Sequence, residues 1–149
     1  MESSARARVL VVAAKTAATP ALIDAVRERA ARGPAIFTLL VPNPTHGLHT
    51  VVDPEDQDAG EAESMVALAL PLLEEAAGGD VDYIVGDAVP LDAIQDAVNL
   101  RSFDEIILST LPARVSRWLK LDLPSKVQGL GLPVTTLTGR SKDDVATPG

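Results

Sequence analysis

The sequence predicts an α/β fold, a three-layer, doubly wound sheet of five parallel strands with helices on both faces. Three observations lead to this prediction. Short segments rich in Val, Leu and Ile alternate along the chain with longer segments of helical periodicity, which is typical of β-α-β units. The short segments are almost continuously apolar, as strands buried on both faces should be. Each connection is long enough to contain a crossover helix, and such crossovers are right-handed.

The first strand and helix have clear signals. Arg8–Ala14 (RVLVVAA) is a buried strand, and Thr19 followed by Pro20 is a typical helix start, with Thr as the cap and Pro at the first helical position. Gly33 and Pro34 should end that helix. Its predicted apolar face contains Leu22, Ile23, Val26 and Ala30, and its predicted charged face contains Arg27, Glu28, Arg29 and Arg32.

A second strand, Ala35–Val41, is followed by a polar, acidic loop over residues 45–59. The second helix is predicted over Glu61–Ala77, where Pro71 should kink it or mark its edge, and a glycine pair ends it. Its predicted apolar stripe consists of Met65, Leu68, Leu72 and Ala76.

The same alternation continues to the end of the fold. The predicted elements are a strand over Val81–Val85, a helix over Pro90–Leu100, a strand over Phe103–Thr110, a broken helix over Arg114–Leu121 and Pro124–Gln128, and a strand over Leu132–Leu137.

Length and composition favour one domain. The chain has 149 residues, of which 46% are hydrophobic and none is cysteine. We expect a single domain over residues 7–138, with frayed tails at 1–6 and 139–149. The lack of cysteine excludes disulfides, thiolate metal sites and thiol nucleophiles. No membrane-spanning run or signal-peptide pattern is visible, so we expect a cytoplasmic location.

The charge is acidic and unevenly distributed. The net charge is −8, and residues 51–100 contain 13 acidic residues and no Lys or Arg. An acidic surface disfavours binding to nucleic acid or to an anionic membrane. A solvated loop and helix face explains most of this acidic third, and a site for a cation or a basic partner is the alternative.

Doubly wound sheets bind ligands at the carboxyl ends of their strands, where the winding direction reverses. Here that crevice lies between the turns that follow the first and fourth strands. Its predicted lining consists of Ala13, Ala14, Lys15 and Thr16 from one turn and of Ser109 and Thr110 from the other.

Several parts of the chain resemble the universal stress proteins. They are the Val-rich first strand, the turn at Gly86, the segment Asp104–Leu108 (DEIIL) and the closing Leu132–Val134 (LPV). The resemblance covers roughly residues 7–138. It implies the strand order 3-2-1-4-5, frequent homodimers, a stress-associated role and, in one branch of the family, ATP bound at the crevice. The dimer edge that it implies is Val134, Thr135, Thr136 and Leu137.

The ATP-binding branch has a glycine pattern after the fourth strand: Gly, two residues, Gly, nine residues, then Gly followed by Ser or Thr. In this sequence those places hold Ser109, Pro112, Asp122 and Leu123, so every glycine is replaced. The Asp that usually ends the first strand of that branch is also absent, because the chain has Ala13-Ala14-Lys15 there. ATP binding in the family manner is therefore not expected, and no cofactor is predicted.

The segment that replaces the glycine loop is basic. Hydroxyl and guanidinium groups can hold a phosphate or carboxylate without glycine. The predicted anion-binding residues are Lys15, Thr16, Ser109, Thr110, Arg114 and Arg117. The alternative is an exposed cationic face that pairs with the acidic third of the chain.

Catalytic and metal sites are not predicted. His46 and His49 flank a loop glycine rather than lying at the helical spacing of zinc hydrolases, and Ser109 has no base visible in the sequence. The favoured function is a non-enzymatic, dimeric universal-stress-protein-like module that binds a small anionic ligand or a partner protein. The alternative is an adenine-nucleotide-binding protein or a weak ATPase with a non-standard phosphate site.

Overall fold

The computed structural model describes residues 6–14, 16–42, 57–86, 89–111 and 117–138, and for residues 57–61, 117 and 120 it describes the backbone only. The strands are β1 (Ala7–Val12), β2 (Ala35–Pro42), β3 (Val81–Gly86), β4 (Glu105–Thr110) and β5 (Val134–Thr138). The helices are α1 (Pro20–Arg32), α2 (Gln57–Ala77), α3 (Pro90–Leu100), α4 (Arg117–Lys120) and α5 (Leu123–Gln128).

The five strands form one sheet in the order β3-β2-β1-β4-β5, and all neighbouring pairs are parallel. This confirms the predicted fold class and strand order. The strand β1 lies at the centre, where Val9 pairs with Phe37 of β2 on one side and with Glu105 of β4 on the other. The winding direction reverses at this strand, so the carboxyl ends of β1 and β4 are adjacent.

Two apolar clusters cover the two faces of the sheet. Because side chains alternate along a strand, Val9 and Val11 pack under α1 and α2, whereas Leu10 and Val12 pack with α3 and α5 on the other face. All four are at most 1% exposed. A central strand that is buried on both faces explains the continuous apolar run in the sequence.

The helix α1 follows the predicted bounds but is capped differently. Thr19 is the N-cap, and its hydroxyl donates to the carbonyl of Thr16 at 2.9 Å instead of accepting from helix amides. Arg29 also departs from the expected exposed face. Its guanidinium makes hydrogen bonds of 2.9–3.1 Å to both carboxylate oxygens of Glu105, with the Arg29 side chain only 13% exposed. This ion pair joins α1 to β4.

The helix α2 begins at Gln57, four residues before the predicted start, and Pro71 lies inside it rather than at its edge. The predicted apolar stripe was right for Ala76, which is buried, and for Met65, which packs half-buried against the core, but it was wrong for Leu68 and Leu72, which are 65% and 39% exposed. The residues that α2 buries are Ala62, Val66, Ala69, Leu73 and Ala76. The segment from Met65 to Leu73 is apolar on all sides, so periodicity gives little contrast there.

The strand β4 begins at Glu105 rather than at the predicted Phe103. Asp104 donates its amide to the carbonyl of Arg8 at 2.8 Å, and its carboxylate accepts the amide of Arg8 at 2.8 Å. A side-chain oxygen therefore takes the place that a ladder carbonyl would have. Phe103 is buried in the cluster with α3 and α5.

Helix α3 comes very close to the end of β3. A Cβ atom at Gly86 would lie 2.8 Å from the Cβ of Ala93 and 3.0 Å from Cδ1 of Leu40. Only glycine fits this approach without a shift of the helix.

Among the helices that the structure describes, none is long and apolar enough to cross a membrane.

Candidate functional site

The crevice at the carboxyl ends of β1 and β4 is built on a compact turn. After β1, the amide of Ala13 donates to the carbonyl of Leu40 at 3.1 Å, and the amide of Ala17 donates to Ala14 at 3.1 Å. The carbonyl of Thr16 then accepts both the amide and the hydroxyl of Thr19. These bonds fold the chain back towards the sheet immediately before α1, and they place Thr16 over the end of β4.

A hydroxyl pair joins the turn after β1 to the carboxyl end of β4. The Oγ1 atom of Thr16 and the Oγ atom of Ser109 lie 2.7 Å apart, and Thr16 Oγ1 also donates to the carbonyl of Ser109 at 3.2 Å. Thr16 is 4% exposed and Ser109 is 3% exposed. We call this pair the hydroxyl clasp. If Thr16 donates to the carbonyl and Ser109 donates to Thr16, both hydroxyl protons are used within the protein.

Thr110 joins the same end of β4 to β5. Its hydroxyl lies 3.0 Å from the carbonyl of Leu111 and 3.3 Å from the carbonyl of Leu137, and the residue is 2% exposed. The structure therefore brings Thr16, Ser109 and Thr110 together at one end of the sheet, as topology predicts. All three are buried and make hydrogen bonds within the protein.

The structure does not describe the side chains of the three cations predicted for the crevice. Lys15 and Arg114 lie outside the described residues, and for Arg117 only the backbone, as the first residue of α4, is described. Their role as anion ligands stays a prediction. His46 and His49 also lie outside the described residues.

Asp122 occupies the place where the ATP-binding branch has its third glycine, and its backbone is left-handed, with φ 59° and ψ 38°. It is the one non-glycine residue with positive φ among those that the structure describes. A residue with a Cβ reaches this conformation at a cost, although Asp tolerates it better than most. The sequence shows that glycine is absent at this position but does not show that Asp122 adopts a left-handed backbone.

The chemistry available in the described part of the crevice is limited. The hydroxyl partner that the structure gives Ser109 is Thr16, which is a poor base, so the pair does not form an activated nucleophile. In the described residues, no three His, Asp or Glu side chains converge on a possible metal position. The arrangement is suited to holding the turn and the strand rigidly together.

A concave region lies at the opposite end of the sheet. This groove of about 480 Å³ is lined by residues at the amino ends of the strands, including Arg6, Asp80 and Asp82. All three are exposed. Because ligands of doubly wound sheets bind at the carboxyl ends, we take the crevice between β1 and β4 as the candidate site.

Comparison with known proteins identifies the fold. Neither a family model nor a curated protein sequence matches the chain. Among solved structures, a universal stress protein from Archaeoglobus fulgidus matches with a TM-score of 0.63 at 16% identity, covering 91% of this chain and 96% of that chain. The chain has the universal stress protein fold.

Two further structures with the universal stress protein fold were solved with nucleotides. A universal stress protein in complex with cAMP matches with a TM-score of 0.58 at 15% identity, covering 91% of this chain and 98% of that chain. A family protein from Arabidopsis thaliana with AMP bound matches with a TM-score of 0.57 at 16% identity, covering 95% of this chain and 97% of that chain. At such identities the likeness establishes the fold, and the function has to be argued from the site.

Proposed function

We propose that this protein is a non-enzymatic module with the universal stress protein fold that binds a small anionic ligand in the crevice between β1 and β4 and acts as a homodimer. The observation that supports it best is the hydroxyl clasp, in which Thr16 and Ser109 lie 2.7 Å apart and are almost fully buried. The clasp joins the turn after β1 to the carboxyl end of β4. A preformed site binds with less loss of conformational entropy.

The positive charge that binds the anion is proposed to come from Lys15, Arg114 and Arg117. In the sequence, Lys15 is next to Thr16, and the two arginines follow the end of β4. Guanidinium groups bind phosphate and carboxylate through two parallel hydrogen bonds. In this proposal Thr16, Ser109 and Thr110 hold the strand ends and the turn after β1 in place. A ligand can bind their hydroxyls only if it replaces one of the hydrogen bonds that they make within the protein.

The dimer is proposed to form through β5. Both β3 and β5 are edge strands of the described sheet, but they differ in composition. The strand β3 contains Asp82, an exposed charge that discourages strand pairing, whereas β5 (VTTLT) has no charged residue. An uncharged edge is suited to pairing with a second copy across a two-fold axis.

A nucleotide is the second candidate ligand, and two observations favour it. Structural neighbours carry cAMP, dAMP or AMP, and Asp122 keeps a glycine-like backbone at the place of a family glycine. Against a standard phosphate site, Asp122 places a carboxylate where the family has none. A nucleotide and inorganic phosphate both present a phosphate group to the site. An experiment is therefore needed to distinguish a nucleotide site from a general anion site.

Thermal unfolding with inorganic phosphate, AMP, cAMP and ATP tests the proposal. A ligand at one hundred times its Kd should stabilise the fold by about 2.7 kcal/mol, which raises the Tm. A rise with phosphate and with the nucleotides supports an anion site in general, whereas a rise with nucleotides alone supports the second candidate. No rise with any of the four at millimolar concentration would overturn both.

Paired variants locate the site. The double variant Arg114→Ala/Arg117→Ala should lose the ligand-induced rise in Tm, because it removes two proposed anion ligands. The matched control is Arg27→Ala/Arg32→Ala, which removes two exposed charges from α1. An equal ligand-induced rise in Tm in the two double variants would show that the anion does not bind at Arg114 and Arg117.

A further inference from the structure

The outer surface of α2 is apolar where a surface helix is normally polar. Leu68 and Leu72 are 65% and 39% exposed, and Ala67 and Pro71 beside them are exposed as well. Leu68 and Leu72 are four residues apart, and so are Ala67 and Pro71, so the four residues form two adjacent rows along the helix. We call these four residues the α2 outer surface.

The helix buries Leu73 and packs Leu70 half-buried against the core, but it leaves its other two leucines, Leu68 and Leu72, exposed. Three of the five side chains that it packs into the core are alanines, at Ala62, Ala69 and Ala76. Rotation of the helix by about 100° would bury the leucines instead, and the observed packing does not do so. Core packing therefore does not explain the leucines of the outer surface.

Acidic residues bracket this surface along the chain. Residues 64–73 contain no charge, Asp58, Glu61 and Glu63 precede them, and Glu74 and Glu75 follow them. The helix has no Lys or Arg. The charge-free stretch of ten residues is about 15 Å long, or nearly three helical turns.

We propose that the α2 outer surface is a docking site for a basic amphipathic helix of a partner protein. Such a helix would lay its apolar side chains on Leu68 and Leu72 and direct its Lys or Arg side chains to the acidic brackets, including the exposed Glu63 and Glu75. Charge complementarity selects this occupant over a second copy of the chain, because two α2 helices would place five acidic residues against five. The surface is separate from the crevice, so the proposal is independent of the proposed ligand.

A synthetic peptide provides the probe. It is an amphipathic helix of about 14 residues, ~21 Å long, with leucines on one face and lysine pairs at both ends, labelled for fluorescence anisotropy. A peptide of the same composition in scrambled order is its control. The proposal expects saturable binding of the amphipathic peptide to the full chain, weaker binding of the scrambled one, and loss of affinity as salt increases.

Variants of the chain then test the surface itself. Leu68→Gln/Leu72→Gln should weaken peptide binding by about tenfold or more, whereas Leu100→Gln should leave it unchanged. Leu100 is the matched control because it is 76% exposed on α3, within the same acidic third of the chain. Glu63→Gln/Glu75→Gln should also weaken binding and reduce its dependence on salt. Circular dichroism confirms that each variant is folded.

Three outcomes would overturn the proposal. The first is equal binding of the amphipathic and scrambled peptides, and the second is equal binding to the wild type and to Leu68→Gln/Leu72→Gln. The third is a fall in the mass of the wild-type assembly, measured by light scattering, when Leu68 and Leu72 are replaced. That result would show that a second copy covers this surface.

Discussion

Among single residues, Asp122 has a backbone conformation that few side chains favour. Its φ of 59° costs a residue with a Cβ about 1–2 kcal/mol, and Asp reduces this cost because it tolerates the left-handed region. We expect Asp122→Ala to lower the free energy of unfolding by about 1 kcal/mol and Asp122→Gly to leave it unchanged or raise it. Urea denaturation measures both variants. An alanine variant as stable as the glycine variant would contradict the left-handed conformation.

Arg29 and Glu105 form the best-defined ion pair among the described residues. It is bidentate and largely shielded, with side chains 13% and 25% exposed. Glu105→Gln should lower the free energy of unfolding by about 1.5–3 kcal/mol, because it weakens charged hydrogen bonds and leaves Arg29 without its counter-charge.

The double variant Arg29→Leu/Glu105→Leu is the informative comparison for this pair. Replacing both partners removes the unpaired charge, so it should recover much of the stability that Glu105→Gln loses. Urea denaturation of Arg29→Leu, Glu105→Leu and the double variant completes the cycle. Strictly additive losses would show that the two side chains are not coupled.

At the scale of secondary-structure elements, the contact between β3 and α3 depends on Gly86. Gly86→Ala should lower stability by about 1–3 kcal/mol, the usual cost of overpacking, because the new Cβ would lie 2.8 Å from the Cβ of Ala93. The control is Gly79→Ala, where nothing lies within 4 Å of the added Cβ, and the change should stay within about 0.5 kcal/mol. Thermal unfolding that does not distinguish the two variants would contradict this account.

The sequence was sufficient to predict most elements, because their signals are local. The apolar run at Val9–Val12 and the Pro20 start of α1 each have one physical interpretation. The buried face of α2 could not be predicted, because a segment that is apolar all round leaves the choice to its fit against β2 and β3. The start of β4 was missed for a similar reason, since Asp104 pairs with Arg8, a residue 96 positions away.

The candidate site was predictable in position but not in bonding. Parallel topology alone brings the turns after β1 and β4 together, so Thr16, Ser109 and Thr110 were expected to be neighbours. Their hydroxyls are engaged with each other or with carbonyls. That pairing depends on where the folded chain places each side chain, and no periodicity or motif in the sequence specifies this.

At the scale of the whole molecule, the two edges of the sheet should behave differently. If β5 forms the dimer, Thr135→Lys should yield a monomer, because Thr135 is exposed on that strand and a lysine there repels its two-fold mate. The matched control is Tyr83→Lys on β3, where Tyr83 is 45% exposed, and this variant should remain dimeric. Size-exclusion chromatography with light scattering measures both. A wild-type monomer at micromolar concentration would exclude the dimer.

The central position of β1 has a consequence for how the chain is made. Of the described strands, β1 is the first to leave the ribosome, yet its partner on one side, β4, begins only at Glu105. At about 5–20 residues per second, Val9–Val12 have an open hydrogen-bonding edge for roughly 5–20 s of synthesis. During that interval β2 can pair with only one side of the strand. A nascent chain that stalls after α3 would therefore present this apolar strand as an unprotected edge, which is prone to aggregate.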